Sequence, residues 1–474
     1  MPKGFFNGKI MELSKFFNVY KKTDMGGVMD FKEEYKKKLV TMKEAAAQVK
    51  SNDWVGTGLA LGACSPDMFH AIMDRASELE NVTLSDCVPI RPSKLYDLEH
   101  MQKIDGRINY HPSFGMALSR KILESRFCDF YIEQSHDLGD RYGHWSDVYI
   151  TQCLPPDENG WVNLGLTNFY TMEAIRIGRS LGKQRLTIGE VNDKQPMVHG
   201  DNWLHISEFD LFYENPVPVA AFSRSAPGEK EKKVGEYCLE LINDGDTIQM
   251  GVGQIPEAVV AGMEGKHDIG VHTEMFPIGL PQLVEKGIVT NQRKSLHKGV
   301  TIATFTLGDQ AMYDYVRENP SCQFYPVGYT NNPARIATIP NMVAMNMALM
   351  VDLSGQICSE GLGHRMVSGS GGQLDFQFGA FHSKGGKGIT LLYSSRTLKD
   401  GALASSIVPE LPLGSPVTVP RTYAHYVVTE YGVADLRYKS RRQRAEALIN
   451  IAHPDLRGEL RSALKKNFYM QTKN

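Results

Sequence analysis

The chain has 474 residues, 42% of them hydrophobic and 22% charged, with 52 Lys and Arg against 54 Asp and Glu. That length exceeds one ordinary core and calls for two or three domains. The balance of charge argues against a nucleic acid or an anionic membrane as partner, and no apolar run reaches the roughly 20 residues of a membrane span.

In chain order, residues 1–28 read as an N-terminal extension, with lysines but no arginine and no apolar secretory core. From Asp30 a helix is expected, and Thr41 with Glu44 forms a capping box for a second one over 42–49. Trp54–Leu59 reads as a strand entering a glycine loop, and Pro66 opens a helix with Phe69, Ile72 and Met73 at helical spacing. Strands are predicted at 81–84, 129–132, 162–165 and 186–192. The stretch from Glu214 to Lys233 holds Pro216, Pro218, Pro227 and a Glu-Lys-Glu-Lys-Lys run, and reads as the linker between halves.

The second half repeats the design of the first. Leu241–Asp246 leads into Thr247–Met250, a glycine loop at Gly251–Gly253, and a helix opened by Pro256. Further strands are predicted at 268–272, 300–305, 342–346 and 388–393, with a helix over 309–316 and a charged helix after Leu436. The alternation predicts an α/β fold: two related open α/β domains with mostly parallel sheets, covering residues 29–222 and 223–474.

Seven cysteines are scattered without a C-x-x-C pair, which points to reduced thiols and a cytoplasmic setting. Cys358 lies near a glycine-rich loop, but a buried structural role is the default for such a residue.

Three stretches could carry chemistry. In Gly270–Pro277, Glu274 stands just past a short strand, where open α/β sheets place their functional groups. A helix-terminal Glu that complements the macrodipole is the ordinary alternative. Gly251-Val252-Gly253-Gln254-Ile255 lies between a strand and a helix, where backbone N–H groups can approach a ligand oxygen. With Glu274 about 20 residues on, this loop also imitates a dinucleotide fingerprint, although Pro256 replaces its third glycine. A nicotinamide-dependent dehydrogenase is therefore the competing class. The run Ser368–Phe376, with Gly369, Gly371 and Gly372, can present consecutive N–H donors to a developing oxyanion. Lys399, on a turn after a strand, can reach a phosphate.

Val271-His272-Thr273-Glu274-Met275, the run Ser368–Phe376 and the stretch His425–Gly432 resemble the acetyl-CoA hydrolase/transferase family, from about Asp30 to near the C-terminus. Within it the likeness is to butyryl-CoA:acetate and 4-hydroxybutyrate CoA-transferases. The resemblance implies a catalytic glutamate at Glu274 that passes through a mixed anhydride to a glutamyl-CoA thioester. It implies CoA contacts at Gly251, Val252, Gly253, Gln254, Ile255, Leu349, Gly372 and Lys399. Oxyanion donors are expected from the backbone of Gly371 and Gly372. Coenzyme A enters as substrate carrier, with no permanently bound cofactor and no metal. The expected partners are acyl-CoA and short-chain carboxylates, and the expected assembly is a homodimer or homotetramer. An acyl-CoA hydrolase is the alternative on the same scaffold. Leu59–Ala63 and Pro89–Pro92 are the segments expected near the acyl group.

Overall fold

The structure, a computed structural model, describes residues 30–222, 226–251 and 253–468. The expected extension at 1–28 and Val252 lie outside the described residues.

Two six-stranded sheets organise the chain. The first is built from β1 (Trp54–Leu59), β2 (Val82–Cys87), β3 (Ile108–Tyr110), β4 (Val148–Cys153), β5 (Leu186–Val191) and β6 (Leu211–Glu214), in the order β3-β2-β1-β4-β5-β6. All its pairings are parallel. Strands β1, β2, β4 and β5 are buried at every position, as a parallel sheet covered on both faces requires.

The second sheet contains β7 (Thr247–Met250), β8 (Gly270–Val271), β10 (Met342–Met347), β11 (Lys387–Leu391), β12 (Tyr426–Thr429) and β13 (Gly432–Asp435). Its order is β8-β7-β10-β11-β12-β13, and only the last pair is antiparallel. Strand β9 (Thr301–Ala303) belongs to a smaller sheet but bridges His272 in parallel through Ile302. Counting that bridge, the second half reads β9-β8-β7-β10-β11-β12, which repeats the topology of the first. In both halves the strand order reverses beside the first strand, and open α/β sheets bind ligands at that point, beyond the carboxyl ends of the strands.

The local signals explain most element ends. Thr41 and Glu44 form the expected capping box, although the helix stops at Ala46. Pro66 opens α1 (Pro66–Met73), with Phe69, Ile72 and Met73 buried. Asp309 caps the helix Gln310–Val316.

Three expectations are corrected. Residues 129–132 form no strand. Asp129 and Tyr131 donate to Tyr110, the last residue of β3, and to Pro112 just beyond it, but Pro112 has no N–H with which to continue the ladder. The charged run in the expected linker is the start of the helix Glu229–Leu239, with Lys232–Glu229 and Lys233–Glu236 pairs on its solvated face. The helix assigned to Pro256 begins two residues earlier, as α2 (Gln254–Ala261), with the proline in its first turn, where a missing N–H costs nothing.

Candidate active site

The residues singled out in the second half follow the carboxyl ends of neighbouring strands. Glu274 comes after β8, Gly251 and Gly253 after β7, Leu349 after β10 and Lys399 after β11. These four strands are consecutive in the sheet, so their carboxyl ends span about 14 Å at the usual strand spacing of ~4.8 Å. Gly251 donates to Met345 O on β10 at 2.9 Å, so the glycine loop and Leu349 flank the switch point. One cleft joins this loop to the neighbours of Glu274: Gly251, Gly253 and Pro256 line it with Met275 and Pro277. Within the loop Gln254 is exposed, whereas Ile255 is fully buried in the core and leaves only its backbone to a ligand. Lys399 is exposed between the short strands Ser395–Thr397 and Leu403–Ser405. Leu349 is half-buried, and its N–H donates to Cys358 O at 2.9 Å.

Glu274 is held through its backbone. Its carbonyl accepts from both the N–H and the Oγ1 of Thr304, each at 2.8 Å. Thr273 and Phe276 donate to Ile302 and Phe305 on either side of it. Upstream, the buried Lys294 donates Nζ to Val271 O at 2.8 Å and to Val300 O at 2.6 Å, tying β8 to the start of β9. Burial pushes the Lys294 ammonium down to about 7. Burial, followed by the Lys294 charge, pushes His272 down to about 3, so its imidazole is neutral. A carbonyl partner requires the proton on Nε2, which donates to Thr330 O at 2.8 Å.

The carboxyl group of Glu274 meets three elements. Asn331, which ends the short helix α3 (Val327–Thr330), donates Nδ2 to its Oε2. Gly372 caps α4 (Gln373–His382), and a Cβ added at Gly372 would overlap both Glu274 Oε2 and Asn331 Nδ2. Only a glycine permits this approach, and it brings the carboxyl group to a helix N-terminus, where free N–H groups and the macrodipole favour negative charge. Ser135 of the first half supplies a further hydrogen bond. Against these donors, burial is the largest influence. With the nearby Asp375 charge, it raises the Glu274 carboxyl from its ordinary 4.5 to about 7.

The loop before α4 is docked on the first half rather than free. Gly371, at φ 59°, gives its carbonyl to Ser135 N at 3.3 Å. Ser370 Oγ donates to Glu360 Oε2 at 2.9 Å, and a Cβ on Gly369 would press on Ser113 O. Of the expected oxyanion donors, Gly372 thus stands against Glu274, and Gly371 precedes it on the same anchored turn. Cys358 is buried, its Sγ donating to Gly361 O at 3.2 Å, and burial raises its thiol.

Sequence reasoning missed Asn331, Ser135 and His136. They lie 57 and about 138 residues from Glu274 with no local motif to mark them. Asp375 stood inside a motif already noted, but its contacts with Asn331 and His136 appear only in three dimensions. Ala60, Ala63 and Pro89–Arg91 line one cavity at the carboxyl ends of β1 and β2, and Met275 packs in the same cluster as Ala60 and Cys87. Among the described residues no group of three His, Cys, Asp or Glu is placed to hold a metal, and no helix is long and apolar enough to cross a membrane.

Comparison with known proteins gives this geometry a lineage. Residues 23–223 match the acetyl-CoA hydrolase/transferase N-terminal domain, and residues 308–464 match the C-terminal domain. The chain belongs to the acetyl-CoA hydrolase/transferase family. It is 36% identical to the 4-hydroxybutyrate coenzyme A transferase of Clostridium kluyveri, over 93% of this chain and 100% of that protein. It is 37% identical to the butyryl-CoA:acetate CoA-transferase of Anaerostipes caccae, over 91% of this chain and 97% of that one. Among solved structures, RipA from Yersinia pestis superposes with a TM-score of 0.82 at 31% identity, covering 92% of this chain and 99% of RipA. The expectation of an enzyme of the CoA-transferase type is borne out by this membership, as are the α/β class and the family resemblance. Acyl-CoA chemistry, rather than hydride transfer, is the reaction class these relatives share.

Proposed function

We propose that the enzyme moves CoA from a short-chain acyl-CoA to a free carboxylic acid, with butyryl-CoA and acetate as the pair, through a glutamyl-CoA thioester on Glu274. The observation that carries this reading is the placement of the Glu274 carboxyl under the N-terminus of α4 and against the Asn331 amide. The site presents a carboxylate nucleophile with preorganised donors on one side.

In the first step a carboxylate oxygen of Glu274 attacks the thioester carbonyl carbon. The carbonyl electrons move to an oxyanion, which the N–H groups of Gly371 and Gly372 stabilise. Loss of one such donor in other enzymes costs about 3 kcal/mol. The C–S bond breaks, CoA leaves as thiolate, and a mixed anhydride of Glu274 and butyrate remains. The thiolate then attacks the Glu274 acyl carbon and butyrate departs, leaving glutamyl-CoA. Acetate attacks that thioester, and the same steps in reverse give acetyl-CoA and the free Glu274 carboxylate. Every intermediate stays activated, which is why a carboxylate serves as nucleophile here.

CoA is assigned to the loop Gly251–Ile255 and to Leu349 and Gly372. Lys399 acts as an exposed point charge for the anionic end of the carrier. The acyl group is assigned to the cleft of Ala60, Ala63 and Pro89–Arg91. All seven cysteines are free thiols, which supports a cytoplasmic setting. A homodimer or homotetramer is part of the same proposal and is measured by light scattering.

Initial-rate kinetics with butyryl-CoA and acetate test the reaction. Parallel lines in double-reciprocal plots, with acetyl-CoA formed, are the expected result. Steady loss of butyryl-CoA without acetate would point to a hydrolase instead.

A further inference from the structure

The amide that donates to Glu274 is itself oriented by two residues from opposite halves of the chain. Asn331 Nδ2, on the Glu274 carboxylate, also lies 3.4 Å from Asp375 Oδ2. Asp375 sits in the first turn of α4, the turn that begins at Gly372, and its side chain has no exposure to solvent. Its Oδ1 is 2.7 Å from His136 Nδ1, and its Oδ2 accepts the His136 backbone N–H at 3.2 Å. His136 belongs to the 3₁₀ turn Ser135–Asp137 of the first half, the same turn whose Ser135 N–H donates to the Gly371 carbonyl.

A side-chain amide has a donor end and an acceptor end of nearly identical shape, so only its neighbours decide which way it points. Here two carboxylates converge on one end. In the opposite orientation the Asn331 oxygen would face both anions, whereas with Nδ2 there it donates to both. Asp375 therefore selects the orientation that Glu274 needs. A buried carboxylate without a partner is costly, and His136 provides that partner. The other charged groups facing His136 are Asp137, whose Oδ1 is 3.4 Å from Nε2, and Glu173.

We propose that Asp375, held by His136 across the junction of the two halves, is a positioning residue that fixes the Asn331 amide with its NH₂ toward Glu274. The site is then complete only when the Ser135–Asp137 turn is docked on α4. This inference rests on the reading of Glu274 as nucleophile.

The test follows the rate at which a CoA adduct appears on Glu274 after rapid mixing of the full chain with butyryl-CoA alone. The wild type is run beside Asp375→Asn, His136→Ala and His136→Asn. Asparagine at 136 can place an N–H where Nδ1 stood, and alanine cannot. Adduct formation is expected to slow by about tenfold or more in Asp375→Asn and His136→Ala, less than the full loss of a donor. His136→Asn should recover most of that loss, and KM for butyryl-CoA should stay within about threefold, as expected when transition-state rather than uniform binding is lost. Wild-type rates in Asp375→Asn and His136→Ala would overturn the proposal and leave the glutamyl reading intact. Absence of an adduct on the wild type would overturn that reading and the proposal with it. Should Asp375→Asn fail to fold, the two His136 variants decide alone, because His136 is partly exposed.

Discussion

Gly372 lies so close to Glu274 that a single methyl group at position 372 would occupy the space of the Glu274 carboxylate oxygen. The same methyl would strike the Asn331 amide. The prediction is that Gly372→Ala lowers kcat by about a hundredfold or more, comparable to losing an oxyanion donor. The accompanying loss of stability should be about 1–3 kcal/mol, the usual range for overpacking. Steady-state kinetics with a urea melt separate the two effects.

Asn331→Ala removes the donor to Glu274 and leaves Asp375 without its contact to the amide. With that donor gone, the Glu274 carboxyl should hold its proton more tightly, because the Asn331 hydrogen bond lowers its proton affinity. The acid limb of the rate profile should therefore move to higher pH, and kcat should fall by roughly tenfold or more. An unmoved limb would mean that Asn331 does not bear on the nucleophile.

In the proposed reaction the wild-type enzyme uses Glu274 as the carboxylate, and burial raises its pKa to about 7. The rate of transfer should rise from pH 5 to 8 with a midpoint near 7. Stability runs the other way. The folded state binds this proton more tightly than the unfolded chain does, so the group's contribution is full below about 4.5 and is lost as pH rises through about 7. Glu274→Gln should therefore raise the melting temperature relative to wild type at pH 8 and make little difference at pH 4. The gain should be on the order of 3 kcal/mol, from a rise of about 2.5 pKa units at 1.36 kcal/mol each.

Much of the fold could be read from the chain, because both halves announce themselves by strand, glycine loop and helix in series. The placement of Glu274 was legible for the same reason: it follows a short buried strand, at the edge where open α/β sheets bind ligands. Residues 129–132 were misread because Phe130, Tyr131 and Ile132 have strand composition. Composition cannot show that Pro112, the partner across the gap, has no N–H to offer. Asn331 and His136 were invisible for a different reason. Their contacts with Glu274 and Asp375 are made by packing elements far apart in sequence, and such contacts leave no local pattern. The standing of the glycine loop at Ser368–Phe376 depended on packing as well, since its anchoring by Ser113 and Ser135 belongs to the other half of the chain.

Lys399 is exposed and distant from the core, so Lys399→Ala should leave the melting temperature unchanged. KM for butyryl-CoA should rise several-fold while kcat changes little, and added salt should narrow the difference from wild type, as expected for a screened surface charge. An unchanged KM at low salt would remove Lys399 from the CoA site.

In the proposed reaction Glu274 becomes covalently attached to CoA. The most direct test of this step is the intact mass of the enzyme after incubation with butyryl-CoA and no acceptor acid, followed by peptide mapping. A CoA adduct on Glu274 that disappears when acetate is added, with acetyl-CoA released, is the expected result. An unmodified enzyme that still transfers CoA to acetate would contradict it.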